Sequence, residues 1–325
     1  MQKYSHVSDV PLALAVFLAY DTYDHNPDPY TISATTLLKP LRQIILGARA
    51  PPGGQIPIAD ELKSSIGSAI HDGIERAWTH GKDKALAALG YPPGVIKRVK
   101  FNPAEGELKE GDIPVYMEQR LHKKIGKWTI SGKFDFIGDG KVQDFKSTST
   151  FTYTNQTNGD KYTQQGSIYR WLSPEKITQD VMEIHYIFTD WKASRAKQDP
   201  DYPQKAFHTQ RFNLMSVEET ERFIRNKLEM IERYWDAAEA DIPECSDEDL
   251  WRSDPVYKYY KNKDATGRST KNFDDPQDAY MRLAKDGHVG KVVMIPGQVI
   301  ACKYCPAFAM CSQKDQLIRE GHLIL

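Results

Sequence analysis

The sequence predicts a mixed α/β fold, a sheet flanked by long helices, that continues into a C-terminal lobe holding every cysteine. Three observations carry this reading. Apolar residues recur at helical spacing from about Asp60 to His80. Trp128, Ile130, Phe134 and Phe136 occupy alternate positions within 113–150, and the four cysteines lie at 245, 302, 305 and 311. At 325 residues the chain is long enough for one large domain or two ordinary ones. Its 40% hydrophobic and 27% charged residues, with a mean hydropathy of −0.58, are globular usage and argue against disorder and against a membrane protein. Lys plus Arg total 43 and Asp plus Glu 44, a net charge of −1. Global charge therefore names no partner, and nucleic acid stays open because binding depends on where cations cluster.

No stretch approaches the ~18 apolar residues of a membrane-spanning helix. The nearest, Pro11 to Tyr20, is closed by Asp9 and Asp21 and reads as a buried helix rather than a signal peptide, so an intracellular, cytoplasmic protein is expected. In a reducing compartment four clustered thiols point to a metal centre rather than to disulfides.

Residues 21–31 and 47–57, rich in Pro and Gly, read as loops. Between them Ser33 is placed to cap a short helix within Ile32 to Pro40. The long helix that follows puts Ile66, Ile70, Ile74 and Trp78 on its core face and meets a stop at Gly81. Residues 113–150 form β structure with a hairpin turn at Asp139-Gly140 and a strand from Val142 to Ser147. A polar loop at 154–161, a helix over about Tyr162 to Leu172, a strand over Met182 to Phe188 and a helix over Val217 to Ala240 complete the core. The expected division is an N-terminal helical region (1–58), a catalytic core (59–240) and a cysteine-rich lobe packed on it (241–325).

The chemistry starts at the hairpin. If Asp139-Gly140 makes a two-residue turn, Gly138 faces Lys141 and Asp135 falls opposite Asp144. Two carboxylates so placed repel unless a cation lies between them. The strand period of two puts Lys146 on the same face. A hard divalent ion such as Mg2+ satisfies the pair and leaves room for phosphate oxygens, and Lys146 would orient the attacking water or stabilise phosphate charge. Gly67, His71 and Glu75 share one face of the preceding helix, where Gly67 would allow close backbone approach. Glu118 is a further acidic candidate that a salt bridge explains equally well. Gln165 and Tyr169, at i and i+4, project together and suit a phosphate and a base.

In order, Gly67-x3-His71-x3-Glu75, Gly132-Lys-Phe-Asp135, Asp144-Phe-Lys146 and Gln165-x3-Tyr169 resemble the PD-(D/E)XK nuclease superfamily, in its RecB-like branch with AddB, lambda-type exonucleases and CRISPR-associated nucleases. The segment Ile32 to Leu41 with Arg42-Gln43 resembles the N-terminal motif of phage-encoded members. The resemblance implies a restriction-endonuclease-like α/β core, a mixed central sheet flanked by helices. It implies metal coordination by His71, Asp135, Asp144 and the Phe145 carbonyl, with Lys146 as catalytic lysine and Gln165, Tyr169 and Arg42 contacting DNA. The implied reaction is phosphodiester hydrolysis with Mg2+ or Mn2+.

Cys302-x2-Cys305-x5-Cys311 with Cys245 offers four thiolates, which suit tetrahedral zinc or a four-iron cluster. The triplet resembles that of the iron–sulfur nucleases of this superfamily, so 4Fe-4S is favoured over Zn2+. Those relatives take their first cysteine from the N-terminal side of the core, where this chain has Lys39-Pro40. Residues 256–272 carry five Lys or Arg, including Lys258 and Lys261, against one Asp, interleaved with three Tyr. This patch suits single strands or duplex ends, or is a solvated loop. The expected function is a metal-dependent DNA exonuclease in recombination, replication or repair, phage-encoded and acting in the host cytoplasm. An endonuclease of restriction or CRISPR-type processing and a non-catalytic DNA-binding accessory protein are the alternatives. No Gly-Lys-Ser/Thr phosphate loop is present, so unwinding would come from a helicase partner, with a recombinase or single-strand-binding protein as further partners.

Overall fold

The computed structural model describes residues 3–20, 28–51, 55–155 and 158–325. In chain order the first elements are β1 (Tyr4–Ser5), α1 (Leu12–Ala19), β2 (Thr31–Ser33), α2 (Ala34–Leu37), α3 (Leu41–Arg49), β3 (Ile56–Pro57), α4 (Leu62–Ala88) and α5 (Pro93–Arg98). Then come β4 (Val99–Phe101), β5 (Ile113–Met117), β6 (Arg120–Ile125), β7 (Trp128–Lys133), β8 (Phe136–Gly138), β9 (Lys141–Thr148), α6 (Thr150–Asn155), α7 (Gly159–Leu172), β10 (Val181–Phe188), α8 (Ala193–Ala196), β11 (Phe207–Asn213) and α9 (Val217–Tyr234). The last are β12 (Val256–Tyr260), β13 (Lys271–Phe273), α10 (Pro276–Lys285), β14 (Lys291–Ile295) and α11 (Ser312–Arg319). Among the described residues no helix is long and apolar enough to cross a membrane.

The chain forms two compact units, Met1–Leu38 with Gly54–Leu228, and Lys39–Gly53 with Glu229–Leu325. These boundaries fall at 38, 53 and 228 rather than at 58 and 240. Residues 39–53 belong with the cysteines because Ile45 and Leu46 of α3 are wholly buried against Ile242 and Ala307.

The first unit is built on a six-stranded mixed sheet of order β11-β10-β9-β8-β5-β4 and a three-stranded sheet β2-β7-β6. The Asp139-Gly140 turn forms as expected, with φ of 53° and 67° and the register Gly138↔Lys141, the geometry a type I′ hairpin turn requires. Trp128, Ile130, Phe134 and Phe136 are all buried, but the run spans two strands and its intervening Ser131 is buried as well. The chain breaks at Phe134-Asp135 and passes from β7 of the small sheet to β8 of the large one. It makes the opposite passage at Glu118, whose φ is 54°, between β5 and β6. The Glu118 N–H donates to the Asp135 carbonyl at 3.1 Å, so the two crossover points are tied together.

Ser33 caps α2 by accepting from Thr36 N at 3.1 Å. The helix α4 continues seven residues past Gly81 to Ala88, because Ala, Leu and Lys after Gly81 are strong helix formers and outweigh the ~1 kcal/mol a glycine costs. Gly90, at φ 87°, ends it, with the Tyr91 N–H returning to the Leu86 carbonyl at 3.0 Å. Its expected core stripe is only half realised: Ile74 and Trp78 pack on Val115, Met117 and Phe136, whereas Ile66 is 40% exposed. The reading of Pro11 to Tyr20 as buried also fails in part. Ala15 and Leu18 pack on Ile58, and Leu12, Val16 and Tyr20 are exposed. The loop expected at 154–161 is largely helical, with α6 ending at Asn155 and α7 starting at Gly159; its residues 156–157, like 21–27 and 52–54 of the other expected loops, lie outside the described residues. Likewise the helix from Val217 ends at Tyr234, not at Ala240, and opens with a capping box of Ser216 and Glu219.

Two glycines let α7 lie close to both sheets. A Cβ at Gly166 would sit 2.7 Å from Met182 Sδ, and one at Gly132 2.9 Å from Tyr169 Cε1 and 2.8 Å from Leu172 Cδ1. Gly132→Ala should therefore displace Tyr169 and Leu172 and cost about 1–3 kcal/mol, measurable as a lower urea midpoint. An unchanged midpoint would show that α7 is less closely held than its packing implies.

Candidate active site

Five elements of the first unit deliver polar side chains to one place. His71 comes from α4, Glu118 from the end of β5, Asp135 from the β7–β8 crossover, Asp144 and Lys146 from β9, and Gln165 and Tyr169 from α7. His71 Nε2 lies 3.0 Å from the Phe145 carbonyl. With Nε2–H donated there, Nδ1 faces Asp135 Oδ2 at 3.5 Å and Glu118 Oε1 at 3.7 Å, the tautomer and orientation in which imidazole binds metals. One donor atom each from His71, Glu118 and Asp135 falls within 4.8 Å of the others, the group of metal-ligand spacing among the described residues.

The expected juxtaposition of Asp135 and Asp144 is visible in their contacts and in the charge that Asp144 exerts on Asp135. Asp135 Oδ2 accepts from the Phe145 N–H at 2.9 Å. Burial, and then the charge of Asp144, push its carboxyl up to about 7. Asp144 is 2% exposed; its Oδ1 accepts from Gln165 Nε2 at 3.3 Å, and Gln165 also donates to the Tyr169 hydroxyl at 2.9 Å. Its Oδ2 lies 2.6 Å from Lys146 Nζ yet has no partner in hydrogen-bonding geometry, so that contact is an ion pair only. Burial opposes the charge on Lys146, but Asp144 and Asp135 outweigh it and raise its pKa. Lys146 is thus an ammonium at neutral pH, a proton donor and a fixed positive charge. The Glu118 carboxylate beside the imidazole leads the causes that raise His71. Burial works against the Glu118 charge, but the neighbouring His71 and Lys133, the latter at 2.6 Å, hold its carboxyl low.

This donor set suits a hard divalent cation. It offers an imidazole with its second nitrogen already engaged, two carboxylates within ligand spacing, and a buried carboxylate oxygen lacking a hydrogen bond. The ligand spacing includes Glu118, the candidate that a salt bridge explains equally well, while Asp144 is drawn to Lys146 and the Phe145 carbonyl receives His71. The position of Glu118 depends on a positive-φ crossover that no periodicity announces. Gly67 faces the Ser147 side chain, its Cβ position 3.3 Å from Ser147 Oγ, so it makes room for a hydroxyl rather than for backbone. Glu75 is not part of the ligand group.

The second unit holds the remaining expected site residues. Arg42 is not available to DNA: it is 3% exposed, and its guanidinium donates to the carbonyls of Ile242 at 2.7 Å and Glu239 at 3.2 Å, to Ser312 Oγ at 3.2 Å and to Cys311 Sγ at 3.4 Å, beside the Glu239 carboxylate. Lys258 lies on β12, the central strand of the sheet β13-β12-β14, and Lys261 just beyond it. The tyrosines between them mark a packed strand rather than a stacking surface, since Tyr259 is 0% exposed and bonds Asp286 at 2.7 Å. Cys245 and Cys302 pack in one apolar cluster, Cys305 and Cys311 in another. All four thiols are free, and no three Sγ atoms come within 4.8 Å of one another. Burial, with Asp249 and the other three cysteines adding, pushes Cys245 up to about 12, and burial raises Cys302 to about 11. Gln313, not foreseen, clamps the Cys245 backbone on both sides, accepting from its N–H at 2.9 Å and donating to its carbonyl at 2.8 Å.

No family model and none of the curated proteins matches the chain. Among solved structures it is similar to SSO0001, at 15% identity over 63% of this chain and 79% of that one, with a TM-score of 0.35. It is also similar to a phage-related exonuclease from Haemophilus somnus 129PT, at 14% identity over 63% of this chain and 93% of that one, with a TM-score of 0.29. Likenesses this distant carry no argument about activity, which has to come from the site's own geometry.

The raised carboxyl gives the site a pH signature. Between about 4 and about 7 the folded chain holds a proton on Asp135 that the unfolded chain has lost, so this residue makes stability fall as pH rises through that window. His71, also raised, acts in the same direction above its ordinary range, whereas Glu118 acts in the opposite direction only in acid. In EDTA, Asp135→Asn should therefore gain Tm relative to wild type as pH rises from about 5 to about 8. A difference between the two proteins that is independent of pH would contradict the buried pair.

Proposed function

We propose that the protein is a metal-dependent deoxyribonuclease of PD-(D/E)XK type, acting as an exonuclease on DNA in recombination, replication or repair. The observation that carries this reading is the convergence of His71, Glu118 and Asp135 beside the buried Asp144–Lys146 pair. His71, Glu118 and Asp135 would hold Mg2+ or Mn2+, with Asp144 completing the acidic wall. Bound there, such an ion lowers the pKa of a water and neutralises charge developing on a phosphodiester.

The chain's own groups do the rest. Lys146, already charged, donates to a phosphate oxygen and stabilises the transition state; as an ammonium it cannot take a proton from the attacking water. Asp144 fixes the Lys146 amino group, and Gln165 fixes Asp144 while its second contact holds the Tyr169 hydroxyl. Glu118 is steadied by Lys133. This chain of contacts preorganises the donors before substrate arrives.

The four thiols of the second unit are proposed to hold a 4Fe-4S cluster. A tetrahedral zinc site, with Zn–S of about 2.3 Å, gathers four thiolates within roughly 4 Å of one another, whereas here no three Sγ atoms lie within 4.8 Å and a cluster of four irons spans a wider ligand set. The buried thiols stay protonated without a cation, and a metal centre would compensate their charge as thiolates. Protein purified without oxygen should show iron and sulfide by chemical analysis and a broad visible absorbance that Cys305→Ala loses. Stoichiometric zinc with no iron would overturn the cluster.

The decisive experiment follows end-labelled linear DNA and closed circular DNA with Mg2+, Mn2+ or EDTA. Wild type should degrade only the linear form and only with metal; Asp144→Ala and Lys146→Ala should lose at least about 10²-fold in rate, with Lys146→Ala keeping its affinity for DNA. Cleavage of closed circles would make the protein an endonuclease, and binding without cleavage under every metal would make it an accessory protein.

A further inference from the structure

Arg42, expected from the sequence to contact DNA, is instead sealed inside the second unit. A guanidinium is always charged, so burying one requires that its five N–H donors find acceptors. Here each does. Nη1 donates to the carbonyls of Ile242 at 2.7 Å and Glu239 at 3.2 Å. Nη2 donates to Ser312 Oγ at 3.2 Å and lies against the Glu239 carboxylate. Nε donates to Cys311 Sγ at 3.4 Å. The acceptors of Nη1 and Nη2 are ordinary oxygens, and the acceptor of Nε is not. A neutral thiol is a weak acceptor, whereas a thiolate takes a charge-assisted hydrogen bond from a guanidinium.

The helix that carries Arg42 lies along the same cysteine-bearing segment. Leu41 packs in one apolar cluster with Cys305 and Cys311, and the Cβ position of Gly47 is 3.4 Å from Pro306 Cγ. Glu239 also accepts from the Ser312 N–H at 3.1 Å and from Ser312 Oγ at 2.9 Å, while Gln313 holds the backbone of Cys245. Residues 311–313 therefore carry one thiol and tether a second, and Arg42 brings a fixed positive charge to the first. The Glu239 side chain is 28% exposed against 3% for Arg42, so water screens the carboxylate more than the guanidinium, and the pair does not cancel at the sulfur.

We propose that Arg42 is a positioning residue for the metal centre of the second unit, its Nε–H donating to Cys311 Sγ as a cluster-bound thiolate and so setting how readily the centre accepts an electron. The inference rests on the four-thiol cluster reading and adds to it a residue that ligates nothing. Hydrogen bonds to the sulfurs and net charge are among the determinants of an iron–sulfur reduction potential. An added electron makes the cluster more negative, so a donor and a fixed cation at one sulfur favour the reduced state, with no bond to Arg42 made or broken. The contacts to Ile242, Glu239 and Ser312 would be enough for a purely structural tie between the two loops. The Nε–H on sulfur is the contact that such a tie does not need.

The test is a redox titration of the full chain purified without oxygen, with dithionite as the reductant and the cluster's visible absorbance as the readout. Arg42→Gln should lower the midpoint so that the reduced-to-oxidised ratio at a fixed potential falls about tenfold, or about 59 mV for one electron. Arg42→Lys, which keeps the charge and loses the fork, should recover part. Glu239→Gln should move the midpoint the other way, because it removes the anion that faces Arg42; a mere loop tie would not give opposite signs. Where dithionite leaves the cluster oxidised, the cysteinyl Fe–S stretch in resonance Raman spectra makes the same comparison, higher in Arg42→Gln and lower in Glu239→Gln. Thermal melts check folding, and Arg42→Lys and Glu239→Gln carry the test if Arg42→Gln does not fold. Unchanged midpoints and stretches, or shifts of the same sign in Arg42→Gln and Glu239→Gln, would overturn the proposal and spare the cluster. Zinc in place of iron would sink the cluster and leave the Arg42 contact to be read as zinc retention, which Arg42→Gln should weaken about tenfold or more against a chelator. A folded protein holding neither metal would overturn both.

Discussion

The constraint on which the first unit's chemistry depends is the crowding of Asp135 and Asp144 at the open end of a tight hairpin. Two carboxylates about 5 Å apart repel by about 3 kcal/mol at an effective dielectric near 20, more than one ordinary hydrogen bond returns. The neighbourhood is arranged around that repulsion. Lys146 lies against Asp144, Gln165 and the Phe145 N–H donate to the two carboxylates, and His71 stands within reach of Asp135. Even so the compensation is incomplete, since Asp135 retains its proton to about pH 7 and Asp144 Oδ2 lacks a hydrogen bond.

The same hairpin explains why much of this was legible in the sequence. A two-residue Asp-Gly turn fixes register by counting, and strand periodicity then assigns faces, so Asp135, Asp144 and Lys146 were placed by arithmetic alone. Gln165 and Tyr169 followed from helical spacing and do act as a pair. Glu118 and Lys133 were not separable from ordinary surface charges, because their meeting depends on two strands crossing between sheets. Arg42 shows the opposite failure. A motif-like position suggested DNA, but its guanidinium donates to two segments of the second unit, at 239–242 and 311–312, and a cation so engaged has no donor left for a phosphate.

In the second unit the basic-aromatic run belongs to a packed strand. Tyr257-Lys-Tyr-Tyr lies on the central strand β12, where Tyr259 and Tyr260 are both buried and Tyr259 donates to Asp286 at 2.7 Å. Composition alone cannot distinguish a stacking platform from a strand, because both need aromatic residues; burial decides between them. The anchor of Cys245, Gln313, was not legible, since an amide that grips backbone has no sequence signature.

The two acids that face His71 stand where the chain changes sheets. Glu118 leaves the six-stranded sheet for the three-stranded one, Asp135 brings the chain back, and a backbone hydrogen bond joins the two crossings. At such a crossing the ladder is interrupted, so a side chain is released from the alternation that would send it to a packed face or to solvent. It can point along the seam instead, and two seams side by side can aim two carboxylates at one imidazole from α4. The positive φ of Glu118 is the local conformational cost of that aim. A regular strand could have carried either acid more cheaply, but not both toward His71.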